Sequence, residues 1–146
     1  MSSSALTMTE QMIRFRRTWP GFHVTDVRSV LVARGLIEPS PLMRVYAVRI
    51  EYRSETSPSV FVESPKLTRR PAAPDVPIPH TYKEHDIGHE HPCVFHPEID
   101  WSPTMSLSDT VVPWLMSWLV DYETWLTHGV WRGGGIEHGK PRRMPS

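Results

Sequence analysis

The chain has 146 residues, in which 16 Lys and Arg balance 16 Asp and Glu. That length suits one domain spanning 1–146 and is short for two, while the neutral balance excludes a protein that grips nucleic acid or an anionic membrane by bulk charge. No apolar run approaches the ~20 residues of a membrane span, Met1-Ser2-Ser3-Ser4 lacks the layout of a secretion signal, and the single cysteine, Cys93, excludes an internal disulfide framework and points to the reducing cytoplasm.

The first predicted element is an amphipathic helix from Thr7 to Trp19. Met8, Met12, Phe15 and Trp19 recur at spacings of three and four and share one face. Thr9 is the expected cap, Pro20-Gly21 the stop, and Arg14, Arg16 and Arg17 lie on a solvated face. Arg28 to Ile37 reads as a strand, followed by a turn at Glu38-Pro39-Ser40-Pro41. Met43 to Tyr52 alternates, with Tyr46, Val48, Ile50 and Tyr52 on one face, and Val60-Phe61-Val62 forms another short strand. Strands in series without intervening helices predict an antiparallel meander.

From about 64 to 103 the prolines are too dense for a packed central strand. This stretch is either an ordered loop over the sheet or partly disordered, and loops of this length are usually functional. Ser106 to Thr127 is the next helix, with capping chemistry at Ser106–Asp109 and two apolar stripes. Leu115, Leu119, Tyr122 and Leu126 make one stripe; Trp114, Trp118 and Trp125 make the other. Pro113 is expected to kink it and Gly129 to stop it. Gly133-Gly134-Gly135 lacks the following helix and Lys-Ser/Thr of a phosphate loop, so about 132 to 146 reads as a flexible tail.

Three readings compete for the stretch around the cysteine. In the first, Cys93 is a small buried hydrophobe and the histidines are solvated loop residues. In the second, His89, His91, Cys93 and His96, with His85 nearby, form a zinc site, although a single proline-studded run folds poorly into a tetrahedron. In the third, Cys93 is an exposed nucleophile whose thiolate is favoured by cationic His91 and His96.

The run Cys93-x7-Trp101-Ser102-Pro103, then Met105-Ser106-Leu107 and a long helix, resembles the active-site segment of ubiquitin-conjugating (UBC) enzymes. Where that family carries His-Pro-Asn ahead of the cysteine, this chain has His80-Thr81-Tyr82, without the Asn that supports the oxyanion. Four segments are similar instead to the divergent bacterial branch encoded in anti-phage operons, the cyclic-oligonucleotide-based signalling systems (CBASS). They are Pro79-His80-Thr81-Tyr82, Cys93-Val94-Phe95-His96-Pro97, Trp101 to Leu107, and Gly129-Val130-Trp131-Arg132-Gly133-Gly134-Gly135.

The resemblance implies an α+β, UBC-like fold: an N-terminal helix, an antiparallel β-meander, an active-site loop and C-terminal helices. It implies a thioester between Cys93 and the C-terminus of a cGAS-like nucleotidyltransferase, passed to a lysine amine of a target protein, with or without a separate activating enzyme. No cofactor or metal is implied. His80 or Tyr82 would meet the oxyanion. His91, His96 and Asp100 are the nearest bases. Trp101 would be a structural lid over the loop, with Pro103 completing the motif. The rival expectations are a non-catalytic UBC-like binding module and a His/Cys zinc-binding domain.

Overall fold

The structure is a computed structural model, and it describes residues 4–82 and 91–133. Helix α1 spans Met8–Thr18. Its cap is Thr7, one residue before the helix, rather than Thr9. The Thr7 hydroxyl accepts from the Glu10 N–H at 3.0 Å, and the Glu10 carboxylate accepts from the Thr7 N–H at 3.1 Å. This reciprocal pair satisfies two backbone donors at the helix start. Arg16 is not simply solvated: its guanidinium donates to the Val24 carbonyl at 2.7 Å and ties the helix to the first strand.

Four strands follow: β1 (His23–Val27), β2 (Val30–Ile37), β3 (Tyr46–Arg53) and β4 (Ser59–Ser64), paired antiparallel in the order β1-β2-β3-β4. Strand β1 is absent from the sequence expectation. Only Val24 in it is buried, so it carries no alternating apolar signal. Its turn is equally inconspicuous. Arg28 and Ser29 take φ of 51° and 65°, the left-handed region in which hairpin turns usually place Asn or Gly. In β3 the four expected residues Tyr46, Val48, Ile50 and Tyr52 are all buried on one face.

Helix α2 spans Val111–His128, starting later than the sequence suggested. Pro113 is its third residue, where a helix N–H has no intrahelical acceptor, so it interrupts no hydrogen bond and the expected kink has no cause. Gly129 ends the helix at φ 80°, with its N–H donating to the Trp125 carbonyl at 2.7 Å. Val111, Val112, Leu115 and Leu119 are fully buried in one cluster with Leu31, Val48, Ile50, Val60 and Val62, so α2 covers one face of the sheet. Among the described residues α2 is the single helix after the cysteine, where several were expected. Among the described residues no helix is long and apolar enough to cross a membrane.

Candidate active site

The segment between β4 and α2 has almost no ladder of its own, as its prolines dictate. Among the described residues its one isolated bridge lies beside the cysteine. The Tyr82 N–H donates to the His91 carbonyl at 2.9 Å and the Cys93 N–H to the His80 carbonyl at 2.8 Å, flanking an antiparallel bridge between Thr81 and Pro92. Side chains alternate across such a ladder, so positions 80, 82, 91 and 93 fall on one side of it and 81 and 92 on the other. Four of the expected site residues thus come together from two ends of one loop. His85 and His89 lie outside the described residues.

Cys93 itself is 2% exposed, which corrects the expectation of an accessible thiol. It does not belong to the main hydrophobic cluster beneath the sheet. Its cover is local and partly polar: the thiol donates to the Phe95 carbonyl at 3.6 Å and is hydrogen-bonded to the Tyr82 hydroxyl. Burial pushes the thiol above its ordinary value. The Tyr82 hydroxyl, donating to the sulfur, opposes that rise, and the negative charge of Asp100 adds to it. Burial and the bond to Cys93 likewise push the Tyr82 phenol up. In this arrangement the sulfur holds its proton at neutral pH.

The two histidines expected to make the thiolate stable serve other contacts. The His91 ring packs between Tyr82 at 4.4 Å and Phe61 at 4.7 Å, which seats the hairpin on β4. His96 begins a tight turn: its N–H donates to the Asp100 carboxylate at 2.8 Å, and its Nδ1 accepts from the Glu98 N–H at 3.2 Å. Asp100 therefore caps a turn and also projects its charge toward Cys93. Among the described residues no three His, Cys, Asp or Glu side chains stand close enough to hold a metal ion.

The tryptophans hold the loop in place. The Trp118 indole on α2 donates to the His80 carbonyl at 3.0 Å, so that carbonyl accepts from both α2 and Cys93. His80 sits at φ 53°, strained for a residue with a side chain. Its Nδ1 is buried without a hydrogen-bond partner, and its ring meets Trp131 at 4.9 Å. His80 is thereby tied to α2 through its carbonyl.

Trp101 is not a lid over the cysteine loop. Its indole donates to the Thr56 carbonyl at 3.1 Å, and its ring meets Tyr52 edge-on at 5.5 Å, anchoring the chain after Cys93 to the β3–β4 turn. The Pro103 carbonyl accepts from the Leu6 N–H at 2.9 Å. Sequence reasoning missed Gln11, whose amide lies buried in α1 and bridges the Met105 carbonyl at 2.7 Å and the Leu107 N–H at 2.9 Å. Nothing in an apolar periodicity singles out a buried Gln. It also missed Asp121, one turn after Trp118 on α2. The Gly133 N–H donates to the Asp121 carboxylate, and the rest of the expected tail, from 134 on, lies outside the described residues.

Among known proteins, a family model described as Type II CBASS E2 protein matches residues 11–139. No curated protein matches the chain.

Proposed function

Because the chain belongs to the Type II CBASS E2 protein family, we propose that it is a cysteine-dependent acyl transferase of the UBC type, with Cys93 as the acyl carrier in anti-phage defence. The Cys93 thiol loses its proton, and the thiolate attacks the activated carbonyl carbon at the C-terminus of a cGAS-like nucleotidyltransferase. The bond to the donor's leaving group breaks and that group departs with the electron pair, leaving a thioester on Cys93. A neutral lysine amine of the target then attacks the thioester carbon. The Cys93 thiolate leaves, the nitrogen gives up a proton, and an amide remains. Transfer from an activating enzyme's thioester releases that enzyme's thiolate, and transfer directly from a peptide bond near the end of the partner's tail releases an amine that takes up a proton; the thioester formed on Cys93 is the same.

The observation that carries this reading is the Tyr82 hydroxyl on the Cys93 sulfur, in the position where the family's usual Asn is missing. A donor already aimed at the sulfur lies close to where the oxyanion of a tetrahedral intermediate forms. His80 lies opposite Cys93 in the ladder, with its ring against Trp131 at 4.9 Å. The covered thiol requires that Tyr82 and the hairpin move aside to admit a tail. A single bridge and a few side-chain ties resist that motion far less than a packed strand does.

The same burial favours a second reading, a non-catalytic E2-like binding module. Incubation with the operon's nucleotidyltransferase, followed by gels with and without reductant, separates the two. The acyl-carrier reading expects a reducible adduct that Cys93→Ala abolishes and that Cys93→Lys replaces with a reductant-resistant one. Partner binding without any adduct would select the binding module, and a reducible adduct on Cys93→Ala would overturn the nucleophile assignment. His80→Ala should slow adduct formation more than it lowers the melting temperature.

A further inference from the structure

Two of the described buried apolar residues, Phe61 and Cys93, lie outside the main hydrophobic cluster. In β4, Val60 and Val62 belong to that cluster, so Phe61 between them points to the side of the sheet away from α2. A large ring on that side would ordinarily meet solvent. Phe61 is buried because side chains from two other segments cover it. The guanidinium of Arg49, its cross-strand partner on β3, lies 4.4 Å from the ring centre, and the His91 ring meets it at 4.7 Å. Arg49 is itself fixed by Glu51 at 3.3 Å and Glu63 at 3.4 Å. His91 then meets Tyr82, directly opposite it in the hairpin, at 4.4 Å, where the Tyr82 N–H donates to the His91 carbonyl at 2.9 Å. Cys93 follows two residues after His91 on the same side of that ladder. A column of Arg49, Phe61, His91 and Tyr82 thus joins the sheet's outer side to the limb that carries the cysteine. The other limb is held from α2, through Trp118 and the His80 carbonyl.

We propose that Phe61 is the positioning residue for Cys93: with Arg49 fixing its ring, it seats His91 and so holds the cysteine limb of the hairpin in one place. A sulfur that attacks a carbonyl carbon must be held about 3–3.5 Å from it. A hairpin with a single bridge cannot hold its own limbs that closely. The aromatic contacts to Phe61 supply the missing restraint from outside the hairpin, and the cation over the ring restrains Phe61 in turn. Satellite clusters of this kind lie under long loops and fix the loop rather than the fold. What the position serves rests on the acyl-carrier reading; the seating of the hairpin on Phe61 does not.

The test is the rate at which the full chain reacts with a soluble disulfide reagent, which reports on Cys93 because it is the only cysteine. Phe61→Leu keeps an apolar side chain and removes the ring. The reagent samples the opened hairpin, so the rate should rise about 2- to 10-fold, the scale of one lost aromatic contact. Phe61→Tyr keeps the ring and should restore the wild-type rate. Val62→Ala, next door on the core side, should lower the unfolding midpoint at least as much and leave the rate unchanged. Arg49→Lys keeps a charge for Glu51 and Glu63 without the flat guanidinium. It should give a smaller rise, and it carries the test if Phe61→Leu does not fold. Where the nucleotidyltransferase forms an adduct, Phe61→Leu should slow it even as the reagent reacts faster. A wild-type reagent rate in both Phe61→Leu and Arg49→Lys, an equal rise in Val62→Ala, or adducts that form faster with Phe61→Leu would overturn the proposal. A raised reagent rate in Phe61→Leu, in a protein whose wild type forms no adduct, would sink the acyl-carrier reading and leave the seating standing.

Discussion

The β2–β3–β4 sheet and the segment from Pro65 to Thr110 are held by opposite means. The sheet satisfies its backbone through paired strands, eight residues of β2 facing eight of β3, and its apolar face closes on α2. The proline-rich segment has few donors to offer a ladder, and side chains from elsewhere meet its carbonyls instead. Trp118 reaches His80, Trp19 reaches Ser108 and Gln11 reaches Met105, while Trp101, within the segment, reaches back to the Thr56 carbonyl. The contrast teaches how a small fold keeps one region rigid and another releasable. A ladder opens cooperatively, whereas a loop pinned by a few indoles opens one tie at a time.

Five changes test that contrast, in falling order of effect. Leu115→Ala removes a fully buried side chain where α2 meets the sheet and should cost about 2–5 kcal/mol in denaturant unfolding. A cost under half a kcal/mol would mean that α2 is not the lid of the core. Gln11→Ala leaves the Met105 carbonyl and the Leu107 N–H buried without their partner and should cost about 1–3 kcal/mol. Hydrogen exchange at Leu107 should accelerate more than at Val48, and equal acceleration would merge the two regions into one unit.

Trp118→Phe keeps most of the packing and removes the donor to His80, for about 1 kcal/mol of global stability. Its larger signature should be local, a rise in the rate at which Cys93 reacts with a soluble disulfide reagent. An unchanged rate would show that the indole does not hold the hairpin shut.

The smallest effect is on the pH profile. The folded thiol titrates above its ordinary value of 9.0, so below that value the folded and unfolded chains both hold the proton and Cys93 contributes no slope. As the pH rises through the ordinary value, only the unfolded chain releases its proton, and stability falls. Cys93→Ala should flatten that part of the alkaline decline. Asp100→Asn, which keeps an acceptor for the His96 N–H, should lower the thiol's titration and speed its alkylation at pH 8. Slower alkylation would reverse the sign assigned to that charge.

The features legible in the residues were those with a local cause. The alternation of Tyr46, Val48, Ile50 and Tyr52 marks a strand because a pleated backbone sends side chains to alternate faces. The Trp-rich helix is visible from its period, Gly129 from the left-handed conformation it must take, and the Cys93-to-Pro103 segment from its resemblance to the UBC active-site segment. Strand β1 is invisible because an edge strand with one buried residue has no pattern to read. The turn at Arg28-Ser29 is invisible because neither residue advertises a positive φ.

The sequence by itself therefore determined α1, the strands β2 to β4 and the tryptophan-bearing helix in their order, since these follow from side-chain periodicity and short-range backbone preferences. Only the tertiary structure decided that Cys93 is covered, that Trp101 belongs to the β3–β4 turn, and that Asp121 meets Gly133. Burial, an electric field and the partner of a carbonyl are properties of neighbours distant in sequence. No pattern of adjacent residues encodes which of them will meet.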